Sequence, residues 1–191
     1  MKEKKFFYII LFSLELLLPV IAFLILFFQK KSFASIFLIR NPLILQIITG
    51  ILFGMIAGII MAYVADKINY FNIIKKLIMD LINEFKINLF DIFLIAFLAG
   101  FCEEILFRGV LQQILGIFLS SFVFIFLHGY FNPFSLNITV WGCIMYCLSL
   151  GIGFLYENYG IFAAISFHFS FDFIVLYLFY KNVDDVQIDM F

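Results

Sequence analysis

Charged residues are scarce in this chain. Asp, Glu, Lys and Arg make up 13% of its 191 residues, against roughly 25% in an average soluble domain. The net charge is −1, and the sequence has no basic stripe that could follow a phosphate backbone, which argues against a nucleic-acid partner. Hydrophobic residues make up 65%, and the mean hydropathy is +1.15. This balance predicts an integral membrane protein.

Cysteine is also rare. The chain has three, all within apolar stretches: Cys102, Cys143 and Cys147. An odd number of cysteines, all within apolar stretches, does not indicate a disulfide framework. Cys143 and Cys147 share a helical face and could in principle bind a soft metal, but we expect them to be small buried hydrophobic side chains.

Long polar segments are missing too. A spanning helix needs about 20 predominantly apolar residues, and the sequence supplies about six such stretches. They lie at residues 6–28, 43–65, 88–107, 113–131, 136–156 and 159–180. The first is longer than the apolar core of a secretory signal and lacks a clear cleavage site, so it predicts a retained transmembrane helix. We therefore expect an all-α integral membrane protein with about six transmembrane helices.

The segment between the second and third stretches has a different pattern, DKINYFNIIKKLIMDLINEFK. Its apolar residues recur at helical spacing, with asparagine, lysine and aspartate on the other side. This pattern predicts an amphipathic helix lying in the membrane interface. We interpret it as a membrane-surface connector, with a substrate-recognition arm as the alternative.

Most acidic and basic side chains lie in loops or near the ends of the apolar stretches. Seven ionisable residues remain that the bilayer has to accommodate: Glu15, Glu103, Glu104, Arg108, His128, His168 and Asp172. A charge at the bilayer centre costs at least about 2.5–3.5 kcal/mol, so such groups normally face the protein interior, pair with one another or line water. Glu15 stands alone on the first stretch. We interpret it as a helix-packing or protonated residue, and a place in a cavity is the alternative.

Glu104 and Arg108 are four residues apart on one helical face, with the acid N-terminal to the base, which is the favourable order. They can therefore neutralise each other. Glu103 is turned by about 100° from Glu104 and by about 140° from Arg108. It cannot fully share that ion pair, so we expect Glu103 to be the free carboxylate.

The two histidines of the chain lie on separate stretches. His168 and Asp172 are again four residues apart on one face, so the carboxylate can orient the ring and raise its basicity. His128 ends an apolar run. One carboxylate and two histidines are the minimum set for activating a water, with the glutamate as general base.

The same three side chains also resemble a zinc site with two histidines, one carboxylate and an open position. The protease signature H-E-x-x-H is absent. The residue types therefore leave a metal-free and a metal-dependent hydrolase open.

Three short motifs occur in order, namely E-E-x-x-x-R at Glu103, Glu104 and Arg108, F-x-x-x-H at Phe124 and His128, and H-x-x-x-D at His168 and Asp172. Together they resemble the CPBP family of intramembrane proteases, also called the ABI or CAAX protease and bacteriocin-processing family. The flanking segments FRGVLQ and NYGIFAAISFH are similar to the family's typical sequence. The resemblance covers about residues 90–180.

This resemblance implies a fold and an activity. It implies a four-helix catalytic transmembrane core in residues 88–191, preceded by N-terminal transmembrane helices and the interfacial helix in residues 1–87. The family includes the eukaryotic endopeptidase that removes the last three residues of prenylated CAAX proteins, and bacterial members linked to peptide maturation and bacteriocin self-immunity. We expect a multi-pass endopeptidase in contact with membrane lipids of the bacterial inner membrane, acting on a peptide or protein C-terminus, prenylated or not.

The resemblance also implies roles for the motif residues: Glu103 as the base with His128 beside it, Glu104 and Arg108 as a supporting pair, and His168 with Asp172 as stabilisers of the oxyanion. The family is described both as metal-dependent and as glutamate-dependent, which leaves a divalent metal such as zinc open. The eukaryotic endopeptidase has Asn in place of Asp172. An ionised Asp172 only accepts hydrogen bonds, so oxyanion stabilisation would then fall mainly to His168, whereas a protonated Asp172 could donate.

Two other classes of function are alternatives to an endopeptidase. The first is a non-catalytic membrane protein, such as an immunity factor that binds a bacteriocin or its receptor; the presence of every motif residue counts against it. The second is a small transporter or proton-linked channel, in which the intramembrane glutamates, histidines and aspartate form a relay. The sequence has no obvious internal repeat of the kind many transporters have.

Overall fold

The structure, a computed structural model, describes the backbone of residues 2–37 and 41–188 and side chains within 4–37 and 41–181. Throughout those ranges the regular elements are helices, so the predicted all-α fold is confirmed. The helices are α1 (Lys2–Phe28), α2 (Leu43–Lys67), α3 (Asn72–Glu84), α4 (Leu89–Leu98), α5 (Glu104–Leu106), α6 (Gln112–Leu127), α7 (Leu136–Tyr159) and α8 (Ile161–Ile188). Two π-helical segments, Ala99–Glu103 and Phe107–Leu111, join α4 to α5 and α5 to α6.

The described residues contain five helical segments that are long and apolar enough to cross a membrane. They are Lys4–Phe28, Leu43–Lys67, Leu89–Leu127, Leu136–Tyr159 and Ile161–Lys181. The protein is therefore an integral, multi-pass membrane protein. The count differs from the expected six because the predicted spans 88–107 and 113–131 fall within one helical segment.

That segment reverses direction at Gly116. The backbone of Gly116 has φ of 75° and ψ of 170°, a conformation that favours glycine because it lacks a Cβ. In a straight helix Phe107 and Phe124 would lie about 25 Å apart, yet their ring centroids are 4.8 Å apart. The part after the reversal, residues 117–127, extends only about 16 Å, too short to cross a hydrocarbon core of about 30 Å by itself.

Helices α2 and α8 pack unusually closely. Glycines recur every four residues on the face of α2 that meets α8, at Gly50, Gly54 and Gly58. A Cβ at Gly50 would overlap the backbone oxygen of Ala163, so only glycine permits this approach. Small residues at such spacing are a common way to pack membrane helices. The contact fixes the position of α8, which carries His168 and Asp172.

The predicted amphipathic helix is present as α3, which begins at Asn72. Just before it, the ring of Phe71 packs edge-on against Trp141 of α7, with centroids 5.2 Å apart. Lys75 pairs with Asp66 at the end of α2, at 2.6 Å. These contacts fasten the start of α3 to two spanning helices. Its location in the membrane interface stays a prediction.

Helix α1 is tied to the start of α4. Lys4 Nζ lies 2.5 Å from the buried carboxylate of Asp91, the Tyr8 hydroxyl donates to the same carboxylate, and Asp91 forms a capping box with Asn88. A buried carboxylate is stable here because it is fully hydrogen-bonded. The division of the chain after residue 87 stays a prediction.

The cysteines are free, as expected from their number, but their burial differs from the expectation. Cys102 is buried, whereas Cys143 and Cys147 are exposed. The prediction that both are buried side chains is therefore wrong. A spanning helix turns an apolar face to lipid, so an apolar neighbourhood in the sequence does not require burial inside the protein.

Candidate active site

The glutamate pair lies at the end of a π-helical segment, where the backbone is wound more widely than in an α-helix. Glu103 ends the first π-helical segment and Glu104 begins the short helix α5. Such π-turns occur frequently at functional sites, and they change the angle between side chains from the regular α-helical value used above. Gly100 brings this segment against α8, because a Cβ there would lie 2.8 Å from the backbone nitrogen of Phe169.

Glu104 and Arg108 form the ion pair that their spacing indicates, and both side chains are 0% exposed. Arg108 Nε lies 3.2 Å from Glu104 Oε2, an ion-pair distance without the angle of a hydrogen bond. Arg108 Nη2 also donates to the Ser149 carbonyl oxygen at 3.1 Å and to its hydroxyl at 2.9 Å. The guanidinium lies 5.0 Å from the centre of the Phe124 ring. Arg108 thus joins α5, α6 and α7.

Glu103 lies between the two histidines, and its side chain is 11% exposed. Its Oε1 is 3.7 Å from His128 Nε2, and its Oε2 is 3.7 Å from His168 Nε2. Both distances exceed a direct hydrogen bond, and they suit groups that share a water. The structure therefore brings together the three side chains that the sequence singles out, from the first π-helical segment, the end of α6 and α8.

Hydrogen bonds fix both imidazole rings. His128 Nδ1 lies 2.7 Å from the carbonyl oxygen of Phe124; a carbonyl only accepts, so this nitrogen carries a proton and Nε2 of the neutral ring is an acceptor. His168 Nδ1 lies 2.8 Å from Glu104 Oε1 and donates to that carboxylate. Both Nε2 atoms therefore face Glu103.

Asp172 lies close to His168, as its spacing suggests, but it faces a different ring nitrogen from the one that Glu104 holds. Its Oδ2 lies 3.4 Å from His168 Nε2, the same nitrogen that faces Glu103, whereas Glu104 holds Nδ1. The orienting carboxylate of His168 is thus mainly Glu104. Sequence reasoning missed this contact because Glu104 is 64 residues away and already had a partner in Arg108.

Glu103, His128, His168 and Asp172 line one cavity of about 470 Å³. The rest of its wall is almost entirely apolar, and α3 contributes Ile74, Leu77, Ile78 and Leu81 to it. The helix interpreted as a connector therefore lies against the candidate site. Tyr130, which the motifs do not include, also lines this cavity.

A second cavity, of about 490 Å³, lies between α2 and α7. Apolar side chains line it almost completely, and it contains none of the motif residues. It therefore has no part in the chemistry considered below.

Glu15 lies on the inner face of α1. Its Oε2 is buried and has no hydrogen-bond partner among the residues that the structure describes. Its carboxyl interacts electrostatically with His168 and Asp172. Glu15 therefore contributes to the electrostatic surroundings of the site from the N-terminal part of the chain.

The structure gives no support to a metal centre in the described part of the chain. No group of three or more His, Cys, Asp or Glu side chains there has an arrangement that could hold a metal ion.

Fold and site together define a multi-pass, all-helical membrane protein whose intramembrane carboxylates and histidines are gathered in one place. Residues 85–174, just under half of the chain, match the family model described as Type II CAAX prenyl endopeptidase Rce1-like. This match shows that residues 85–174 are similar to the CAAX protease family, also called CPBP, which the motifs also resemble. CAAX-type intramembrane proteases, to which the matched region is similar, act on peptides and proteins. No curated protein and no solved structure matches the chain.

Proposed function

We propose that this protein is an intramembrane endopeptidase in which Glu103 activates a water to hydrolyse a peptide bond. The observation that carries the proposal is the position of the Glu103 carboxylate, with a histidine Nε2 3.7 Å from each of its two oxygens. Glu103 is also the member of the glutamate pair that lines the cavity, whereas Glu104 is occupied by Arg108 and His168.

The attacking water binds between Glu103 and His128. A water about 2.8 Å from both Glu103 Oε1 and His128 Nε2 forms the apex of a triangle whose base is the 3.7 Å separation of those atoms. It donates one proton towards the carboxylate and the other towards the imidazole. A base placed in this way takes the proton as the oxygen attacks the carbonyl carbon.

His168 binds the oxygen of that carbonyl. Carboxylates of Glu103, Glu104 and Asp172 surround its ring and stabilise a positive charge on it, so that Nε2–H can donate to the developing oxyanion. Glu103 then passes its proton to the leaving nitrogen, the carbon–nitrogen bond breaks, and a carboxylic acid and an amine leave. Arg108 keeps Glu104 ionised and the His168 ring in place.

The substrate is the C-terminal segment of a peptide or protein held at a membrane, and membrane lipids surround the enzyme. The apolar wall of the cavity, to which α3 contributes, suits an apolar side chain or a prenyl group next to the scissile bond. The resemblance to bacterial members of the family supports a location in the bacterial inner membrane. Peptides with and without a prenyl group, otherwise identical, would identify the preferred substrate.

The first test is Glu103→Gln in the purified full-length protein, assayed in lipid vesicles by mass spectrometry of shortened peptides. We expect turnover to fall by about 10²–10⁴-fold, because an amide cannot accept the proton of the water. Glu84→Gln is the matched control, since it makes the same change at an exposed position at the end of α3, and it should keep full activity.

Cleavage that persists at the wild-type rate in Glu103→Gln would overturn the proposal. The non-catalytic alternative predicts a different outcome. A binding or immunity protein would protect cells equally well with Glu103→Gln, because binding does not need a general base.

A further inference from the structure

Tyr130 lies beside the proposed catalytic groups without belonging to any of the motifs. It follows α6 in the loop before α7 and lines the cavity that contains Glu103 and Asp172. Its ring is nearly parallel to that of His128, with an interplanar angle of 7° and centroids 5.9 Å apart.

Helix α7 holds Tyr130 in this place. Gly142 lets the helix backbone approach it, because a Cβ at Gly142 would lie 2.7 Å from Tyr130 Cβ. The Tyr130 hydroxyl also lies near the side chain of Trp141. An indole N–H only donates, so Trp141 does not take up the hydroxyl hydrogen of Tyr130, which can donate to another group.

The proposed reaction needs such a donor. An oxyanion is stabilised by hydrogen-bond donors, and the carboxylates of Glu103 and Asp172 accept when ionised. The neutral His128 ring presents an acceptor to the cavity. Of the ionisable motif residues that the structure describes as lining the cavity, His168 is then the one that can donate. Its Nε2 atom already lies 3.4 Å from Oδ2 of Asp172.

Tyr130 retains its proton under physiological conditions. Burial, followed by the negative charges of Asp172 and Glu103, raises the pKa of the Tyr130 hydroxyl to about 12. Its hydroxyl is thus a neutral donor in a cavity where a further negative charge would oppose the reaction.

We propose that Tyr130 is a further catalytic residue, whose hydroxyl donates a hydrogen bond to the carbonyl oxygen of the scissile bond as that oxygen becomes negative. No proton leaves the tyrosine, so Tyr130 stabilises charge without acting as an acid. This inference rests on the proposed endopeptidase function, because it assigns a role within that reaction.

The test is Tyr130→Phe in the full-length protein, which removes one oxygen and keeps the ring stacked on His128. Loss of a single oxyanion donor typically lowers kcat by about 10²–10³-fold, and KM should stay within about twofold because the bond strengthens only in the transition state. Tyr146→Phe is the matched control. Its hydroxyl donates to the Phe118 carbonyl oxygen at 3.3 Å, away from the cavity, so that variant should keep wild-type kcat and KM.

A kcat within about twofold of wild type in Tyr130→Phe would overturn this inference, as would a rise in KM at constant kcat. Glu103→Gln, measured in parallel, separates the two proposals, because the proposed function fails only if that variant also retains turnover. If Tyr130→Phe does not fold, Trp141→Phe decides the question, since it removes the polar N–H group near the hydroxyl. Reduced kcat with unchanged KM in Trp141→Phe supports the inference, and unchanged kcat refutes it.

Discussion

Arg108 is among the largest fully buried side chains in the described part of the chain, and Glu104 is buried beside it. Two charges removed from water are stable only if each has partners. Glu104 has Arg108 and His168, and Arg108 has Glu104 and Ser149. At the level of single residues, the position of the His168 ring therefore depends on two successive contacts, from Arg108 to Glu104 and from Glu104 to His168.

Arg108→Met tests this dependence. The change leaves Glu104 without its cationic partner in a buried position, and we expect the free energy of unfolding to fall by about 3–5 kcal/mol. Thermal unfolding of detergent-purified protein measures the loss. Lys75→Met is the matched control because it breaks an ion pair whose side chains are 34% and 20% exposed, for which we expect at most about 1 kcal/mol. Equal losses in the two variants would contradict this view of the buried pair.

For single residues, the sequence predicted the contacts between side chains that are one helical turn apart. The Glu104–Arg108 pair and the approach of Asp172 to His168 both follow from four-residue spacing. The contact of Glu104 with His168 joins distant parts of the chain, and no local pattern indicates it. Tyr130 was missed for a similar reason, because its significance comes from the neighbouring ring of His128 and the backbone of α7.

At the scale of elements, the packing of α2 against α8 positions two of the proposed site residues. Gly50 lies against the backbone of α8, whereas a Cβ at Gly151 of α7 would meet nothing within 4 Å. We expect Gly50→Ala to push the helices apart, to lower the free energy of unfolding by about 1–3 kcal/mol and to reduce turnover. The matched change Gly151→Ala should be close to neutral in both measurements.

Thermal unfolding and peptide turnover, measured on the same preparations, check that prediction. The role of the glycine face would be refuted if Gly50→Ala matched Gly151→Ala in stability and activity. The four-residue spacing of glycines in α2 is visible in the sequence and is a known packing signal, so this contact was predictable in principle.

Other features of the helices were harder to predict from the sequence. The reversal at Gly116 depends on a single glycine within an apolar run, which composition alone does not distinguish from a continuing helix. The π-helical segments around the glutamate pair have no periodicity of their own in the sequence. Hydropathy therefore found the helical regions correctly, but it overestimated the number of full spans.

For the molecule as a whole, the lipid environment explains why charged residues are scarce. Lipid requires polar groups within the spans to face the protein interior, where they pair or line a cavity. The helices gather six of the seven ionisable residues that the sequence singled out around one site. The family match covers residues 85–174, which include all six. The sequence predicted their association through the motifs, whereas the cavity and the part of α3 in its wall required the fold.

The central claim is that Glu103 activates water and does not itself attack the peptide bond. Many turnovers in water enriched in the heavy oxygen isotope, followed by mass spectrometry of the cleaved peptide and of the protein fragment carrying Glu103, test this most directly. We expect one heavy oxygen in the new carboxylate of the N-terminal fragment and none in Glu103, with product formation by Glu103→Gln lowered by about 10²–10⁴-fold. Heavy oxygen in Glu103 would show direct attack by the carboxylate, and unchanged product formation by Glu103→Gln would show that this residue is not the base; either result would contradict the account.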